Sequence, residues 1–184
     1  LLSEPKRCVH IGDRESDIYE LFCAAEQENT RFVIRTCVDR LAGNGTTVSR
    51  KMERQAVQGY HQIEVPGVEN KSTIAKLSIR FCTMTVHPPV AKKKGYPSLT
   101  LTVIHARERN APANRVAIQW KLITNLQIDS LASAIEKLDW YAQRWKIETL
   151  HKILKSGCQA EKSKLQTAER LTKLPSVYSI MARR

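Results

Sequence analysis

The sequence predicts an α/β protein with a β-rich antiparallel insertion before a C-terminal helix. Three observations carry that expectation. The first 38 residues read as strand, helix, strand. The next stretch, to about Asp129, alternates apolar and polar residues between turn signals, the two-residue period of half-buried strands. After Asp129-Ser130, apolar residues recur at helical spacing for several turns. The expected organisation is therefore a strand–helix–strand part (1–38), a β-rich insertion (39–129) and a helical end (130–184).

Cys8 to Gly12, CVHIG, is a short apolar run that ends on Asp13 and fits a buried strand. Ser16 to Glu28 follows as a helix, with Ile18, Leu21, Phe22 and Ala25 at helical spacing and Ser16 expected as its N-cap. Arg31 to Cys37, RFVIRTC, is the second strand, and a strand–helix–strand unit implies a parallel pair with a right-handed crossover. Four further strands are expected at His61–Val65, Ile74–Val86, Ser98–Glu108 and Val116–Thr124. Turn signals separate them at Pro66-Gly67, at Pro88 to Pro97 and at Asn110 to Asn114, so neighbouring strands should pair as an antiparallel meander. Lys92–Lys94 falls at one hairpin tip, where a solubilising loop is expected in preference to a specific contact, with phosphate as the alternative. The long helix is expected from Leu131 to Lys155, stopped by Gly157, and a last helix from Ala168 to Ala182.

Composition narrows the partners. The chain has 184 residues, 42% of them hydrophobic, ordinary for a protein that buries a core, and its formal net charge is +12. That balance favours polyanions, nucleic acid first and an anionic membrane surface second. No apolar run is long enough to span a bilayer and no signal peptide is evident, so the expected location is the cytoplasm or the bacterial nucleoid. Five cysteines, an odd number with no CxxC pair, argue against a zinc site and a disulfide framework; reduced thiols are expected.

Chemistry concentrates at two acids. In DWYAQRWKIETLHKILK, Asp139 to Lys155, one carboxylate, Glu148, lies among Arg144, Lys146, Lys152 and Lys155. At about 100° per residue, Tyr141, Arg144, Glu148, Lys152 and Lys155 share an arc of roughly 80°, beside an apolar stripe of Trp140, Ile147, Leu150 and Leu154. A solvated face with Glu–Lys pairs would give the same periodicity. Asp13 ends the first strand, where α/β sheets commonly present functional groups, although Asp is also a common loop starter. Two carboxylates brought together make a hard oxygen site for Mg2+ or Mn2+, the kind used for in-line attack on phosphodiesters.

Tyr141, Arg144, Glu148 and Lys155 reproduce the Tyr-(2)-Arg-(3)-Glu-(6)-Lys signature of bacterial transposases of the insertion-sequence-four family. DRESDI, Asp13 to Ile18, resembles that family's segment around its second catalytic Asp, and RFVIR the next strand. Together the matches run in order from about Cys8 to Tyr178. The resemblance implies a partial RNase H-like core interrupted by a β-rich insertion before the catalytic helix. It implies that Asp13 and Glu148 are catalytic metal ligands for Mg2+, with Mn2+ able to substitute. Arg35 would contact DNA, Trp120 would receive a flipped base, and Tyr141, Arg144 and Lys155 would grip the DNA end. Lys152, on the basic face, is a further phosphate contact, while His151 is left to packing or solvent. The implied partners are double-stranded transposon ends, target DNA and a second copy in the synaptic complex.

One feature departs from the family pattern. Its first catalytic Asp lies well upstream of the second, and nothing before Cys8 matches it; Asp17 and Asp39 are not expected to substitute. The isolated chain is therefore expected to be inactive, a part of a transposase that cuts, forms and resolves hairpins and transfers strands. A second reading is a non-catalytic product that binds DNA or inhibits an intact relative. A third is a basic RNA-binding or membrane-surface domain.

Overall fold

The computed structural model describes residue 4 and residues 7–66, 72–113 and 115–144. The chain divides into two compact units, Leu1–Tyr141 and Ala142–Arg184. Of the second, residues 142–144 are described, and Arg144 is half-buried. Glu148, Lys152, Lys155, Cys158 and the helix expected from Ala168 lie outside the described residues.

The first unit is a mixed α/β structure built on one sheet, most of whose pairings are antiparallel. Its strands are β1 (Val9–Gly12), β2 (Arg31–Arg35), β3 (Leu41–Ala42), β4 (Thr46–Thr47), β5 (Gly59–Pro66), β6 (Ser72–Val86), β7 (Leu99–Glu108) and β8 (Gln119–Thr124). Helix α1 (Tyr19–Gln27) joins β1 to β2, the short α2 (Val48–Glu53) follows β4, and α3 (Leu131–Ala142) follows β8. β1 and β2 are parallel, with Gly12 beside Ile34, as a strand–helix–strand unit requires. β5, β6, β7 and β8 form the expected antiparallel meander. β8 returns to pair antiparallel with β2, so one continuous sheet runs through both the N-terminal part and the β-rich stretch.

Each face of the sheet carries its own core. On one, Tyr19, Phe22 and Cys23 of α1 and Val48 and Met52 of α2 pack on Phe32, Ile34, Met84, Val86, Leu101, Val103 and Ile123. Phe22 and Phe32 stack with centroids 4.9 Å apart. Each such fully buried side chain contributes about 1.5–3 kcal/mol relative to exposure. On the other face, Ala134, Leu138 and Tyr141 of α3 cover Val33, Leu77, Ile79, Ile104, Ala106 and Leu122. Burial pushes the Tyr19 phenol up to about 12, and its hydroxyl donates to the carbonyls of Val86 and Pro97 at 3.0 and 2.8 Å.

Several local expectations change. Ser16 is not a helix N-cap: residues Arg14–Ser16 form a 3-10 turn, and α1 begins at Tyr19 after an extended Ile18 without a side-chain cap. The reason is the Asp17 carboxylate, whose bonds described below pull the chain out of helical geometry at that point. Val116 and Ala117 precede β8 rather than belonging to it, and β6 starts at Ser72. The small β3–β4 pair and α2 had no strong periodicity to announce them; Thr47 caps α2 by accepting from the Arg50 amide at 3.3 Å. Ser130 does cap α3, accepting from the Ser133 amide at 3.2 Å. The four described cysteines are all free thiols. Among the described residues, no helix is long and apolar enough to cross a membrane.

Candidate nucleic-acid site at the ends of β1 and β2

Parallel pairing brings the C-terminal ends of β1 and β2 to one edge of the sheet. Gly12 lies opposite Ile34, so the next residue, Asp13, emerges beside Arg35. The Arg35 guanidinium is 3.9 Å from Asp13 Oδ1, with the two side chains 23% and 33% exposed. At that exposure the pair contributes on the order of 1 kcal/mol or less. Arg35 also donates to the Gln119 carbonyl at 3.4 Å, which ties it to the start of β8. Trp120 follows Gln119, half-buried on the α3 face of the sheet.

The end of α3 closes the cluster. The Tyr141 hydroxyl donates to Asp13 Oδ1 at 3.2 Å, and its ring meets Trp120 edge-on, with centroids 5.1 Å apart at 75°. Burial raises the Tyr141 phenol; Arg35 opposes that shift and Asp13 adds to it. The hydroxyl therefore stays protonated and available as a donor. Asp13, Arg35, Trp120 and Tyr141, four residues named from the sequence, thus stand together.

Glycine makes the first corner possible. A Cβ on Gly12 would fall 2.6 Å from both Cβ and Oγ of Ser16, so only glycine lets the 3-10 turn fold back over the strand end. Below that turn is a device the sequence reading missed. Asp17, dismissed above as a catalytic substitute, is a buried anchor. Its Oδ2 accepts from Thr36 Oγ1 at 2.8 Å and from the amides of Cys37 and Val38 at 2.7 and 2.9 Å. Arg40 reaches its Oδ1 at 2.5 Å, donates to its carbonyl at 3.0 Å and lies over the Phe22 ring. The side chains of Asp17 and Arg40 are 0% and 5% exposed. This pair staples the turn after Asp13 to the segment after Arg35. No local sequence signal announces it, because the partners are 23 positions apart and neither belongs to a periodic pattern.

Beside the cluster lies a cavity of about 420 Å3 lined by Arg14, Arg35, Thr36, Cys37, Gln119 and Lys121. Three of these are cations, so the recess suits a phosphate. Metal ligation is different. A hard divalent cation takes several oxygens, and among the described residues no three His, Cys, Asp or Glu side chains group closely enough to hold one. Asp13 supplies one carboxylate, already engaged by a cation and a hydroxyl. The described residues alone therefore do not fit a metal centre. No protein-family model matches the chain.

Proposed function

We propose that this chain is part of the catalytic core of a DDE-type DNA transposase with an RNase H-like arrangement. The observation that carries the reading is the meeting of Asp13, Arg35, Trp120 and Tyr141. The resemblance names these residues from four separate segments, and Asp13 and Tyr141 are 128 positions apart. In this reading Arg35 and the neighbouring Arg14 and Lys121 hold phosphates, Trp120 offers a ring to an unstacked base and Tyr141 orients the Asp13 carboxylate. The resemblance names Asp13 and Glu148 as carboxylate ligands of Mg2+, which would supply activation of the attacking oxygen.

Substitution in the full-length gene product tests this, with the duplex ends of its own element as substrate. Asp13→Asn and Glu148→Gln should each abolish Mg2+-dependent cleavage and leave end binding nearly unchanged. Arg35→Ala should weaken binding and make it less salt-dependent, since phosphate contacts release counterions. Cleavage that survives both acid substitutions would overturn the proposal.

One observation favours a second reading, a non-catalytic DNA-binding or inhibitory product. Asp13 is held by Arg35 and Tyr141 as a structural acid would be. On that account all three variants alter end binding and none alters cleavage by an intact partner subunit.

A further inference from the structure

The sheet face that carries α1 and α2 continues past them into a row of cations. Strand alternation assigns the side chains. Met84, Val103 and Ile123 point into the α1 core, so residues of the same parity on β6, β7 and β8 share that face. Arg80, His105 and Lys121 lie side by side across the three strands, and Ser78, Arg107 and Gln119 form the next row. Beyond them Arg109 donates its amide to the Lys76 carbonyl at 2.9 Å, and Tyr60 of β5 pairs with Ser78. The α3 face, which holds Trp120 and Tyr141, is the opposite side of the sheet.

Four of these cations are held in place. Arg80 donates to the Gln55 carbonyl at 2.9 Å and Lys121 to Ser49 Oγ at 2.8 Å. The Lys76 and Arg109 cations lie 5.2 and 5.4 Å from the centroid of the exposed Tyr60 ring, and Arg109 also donates to the Tyr60 hydroxyl at 2.9 Å. Two cavities, of about 470 and 450 Å3, open here and share Glu108, Arg109 and Asn110. Glu108 is the one carboxylate among their described lining residues, and Arg115 neutralises it through two bonds of 2.5 and 2.6 Å. Lys76, Arg80, Arg107 and Arg109 therefore line the two recesses in excess of any described acid. The field is strong enough to act on a neighbour: burial, then Lys121, Arg80 and Arg107, push the His105 imidazole down to about 4.

We propose that this face, with Lys76, Arg107 and Arg109 at its centre, binds the phosphate backbone of double-stranded nucleic acid without reading sequence. Fixed cations on a rigid sheet suit the regular phosphates of a duplex. Tyr60, the exposed aromatic ring here, already has two cations over it, so the face lacks the open stacking platform a single strand uses. Two exposed apolar side chains, Ile74 and Val57, also line these recesses, which makes an anionic membrane surface the competing partner in the test. This inference does not rest on the transposase reading: Lys76, Arg107 and Arg109 lie on the other side of the sheet from Tyr141, and Lys121, which that reading uses, is left unaltered in the test.

The test is fluorescence anisotropy with the full chain and a labelled duplex of arbitrary sequence, over a salt series. Lys76→Gln/Arg107→Gln/Arg109→Gln alters three exposed side chains. It should lower affinity about tenfold or more and reduce the slope of log K against log salt by about 2–3. The control removes equal charge at exposed Arg7, Lys93 and Lys94 and should leave the slope nearly unchanged. Equal losses in both variants, an unchanged slope in the first, or binding to phosphatidylserine vesicles in preference to duplex would each overturn the proposal. Asp13→Asn, which disables the transposase reading, should leave this slope intact, so the two proposals fail separately.

Discussion

The Tyr141 hydroxyl donates to Asp13 Oδ1 at 3.2 Å across 128 positions of chain. That bond links the end of α3 to the end of β1, and Trp120 backs the tyrosine ring from β8.

Tyr141→Phe removes the donor and keeps the ring. It should cost about 1 kcal/mol, the net value of such a bond when Arg35 still faces the carboxylate. Tyr141→Ala should cost about 3–5 kcal/mol, because the cavity also strips Trp120 of its neighbour. Urea denaturation curves would measure both, and a Tyr141→Phe variant as stable as the parent would remove the hydrogen bond from the account.

Asp17→Asn leaves the buried Arg40 without its counter-charge. A loss of about 3–5 kcal/mol is expected. The double variant Asp17→Asn/Arg40→Met should lose less than the sum of the single variants, as coupled partners do. Strict additivity would show that the pair is not the anchor of the 36–40 segment.

Gly12→Ala forces a methyl group against Ser16, which stands 2.6 Å from where it must sit. The turn has to move, at a cost of about 1–3 kcal/mol. Gly12→Ala/Ser16→Gly should recover most of that loss, and a thermal melt of the two variants decides the matter.

His105 gives stability a defined pH dependence. Its imidazole is buried and its pKa falls from 6.5 to about 4 in the fold. The unfolded chain therefore binds a proton that the folded one refuses between those values, and stability rises with pH across that window. Its contribution is complete above about pH 6.5 and disappears toward pH 4, up to about 3 kcal/mol in all. His105→Gln should flatten the stability profile between pH 4 and 6.5, and NMR titration should find this ring neutral at pH 5. Glu108, held below the usual carboxylate range first by its bond to Arg115, loses its contribution only as pH falls further.

Much of the local structure follows from side-chain periodicity. CVHIG, RFVIR and the long alternating runs announce β1, β2 and β5 to β8, because period-two patterns have to bury one face. The parallel sense of β1 and β2 follows from the intervening helix. Ser130 announces the start of α3 through its short polar side chain. Asp13, Arg35, Trp120 and Tyr141 are legible as candidate site residues because the motifs that carry the resemblance are linear.

Other features came only with tertiary structure. α1 starts at Tyr19, because Asp17 spends its carboxylate on amides beyond β2 instead of capping a helix. The return of β8 to β2 places Trp120 beside Tyr141, and no local pattern specifies which edge a strand joins. The basic face likewise exists only once β6, β7 and β8 are in register, since Lys76, Arg80, Arg107, Arg109 and Lys121 are scattered in sequence. Sequence fixes which residues are apolar, charged or able to cap within a few positions, where interactions act along the chain. Long-range pairing decides which of those residues meet, because contact energies depend on distance in space.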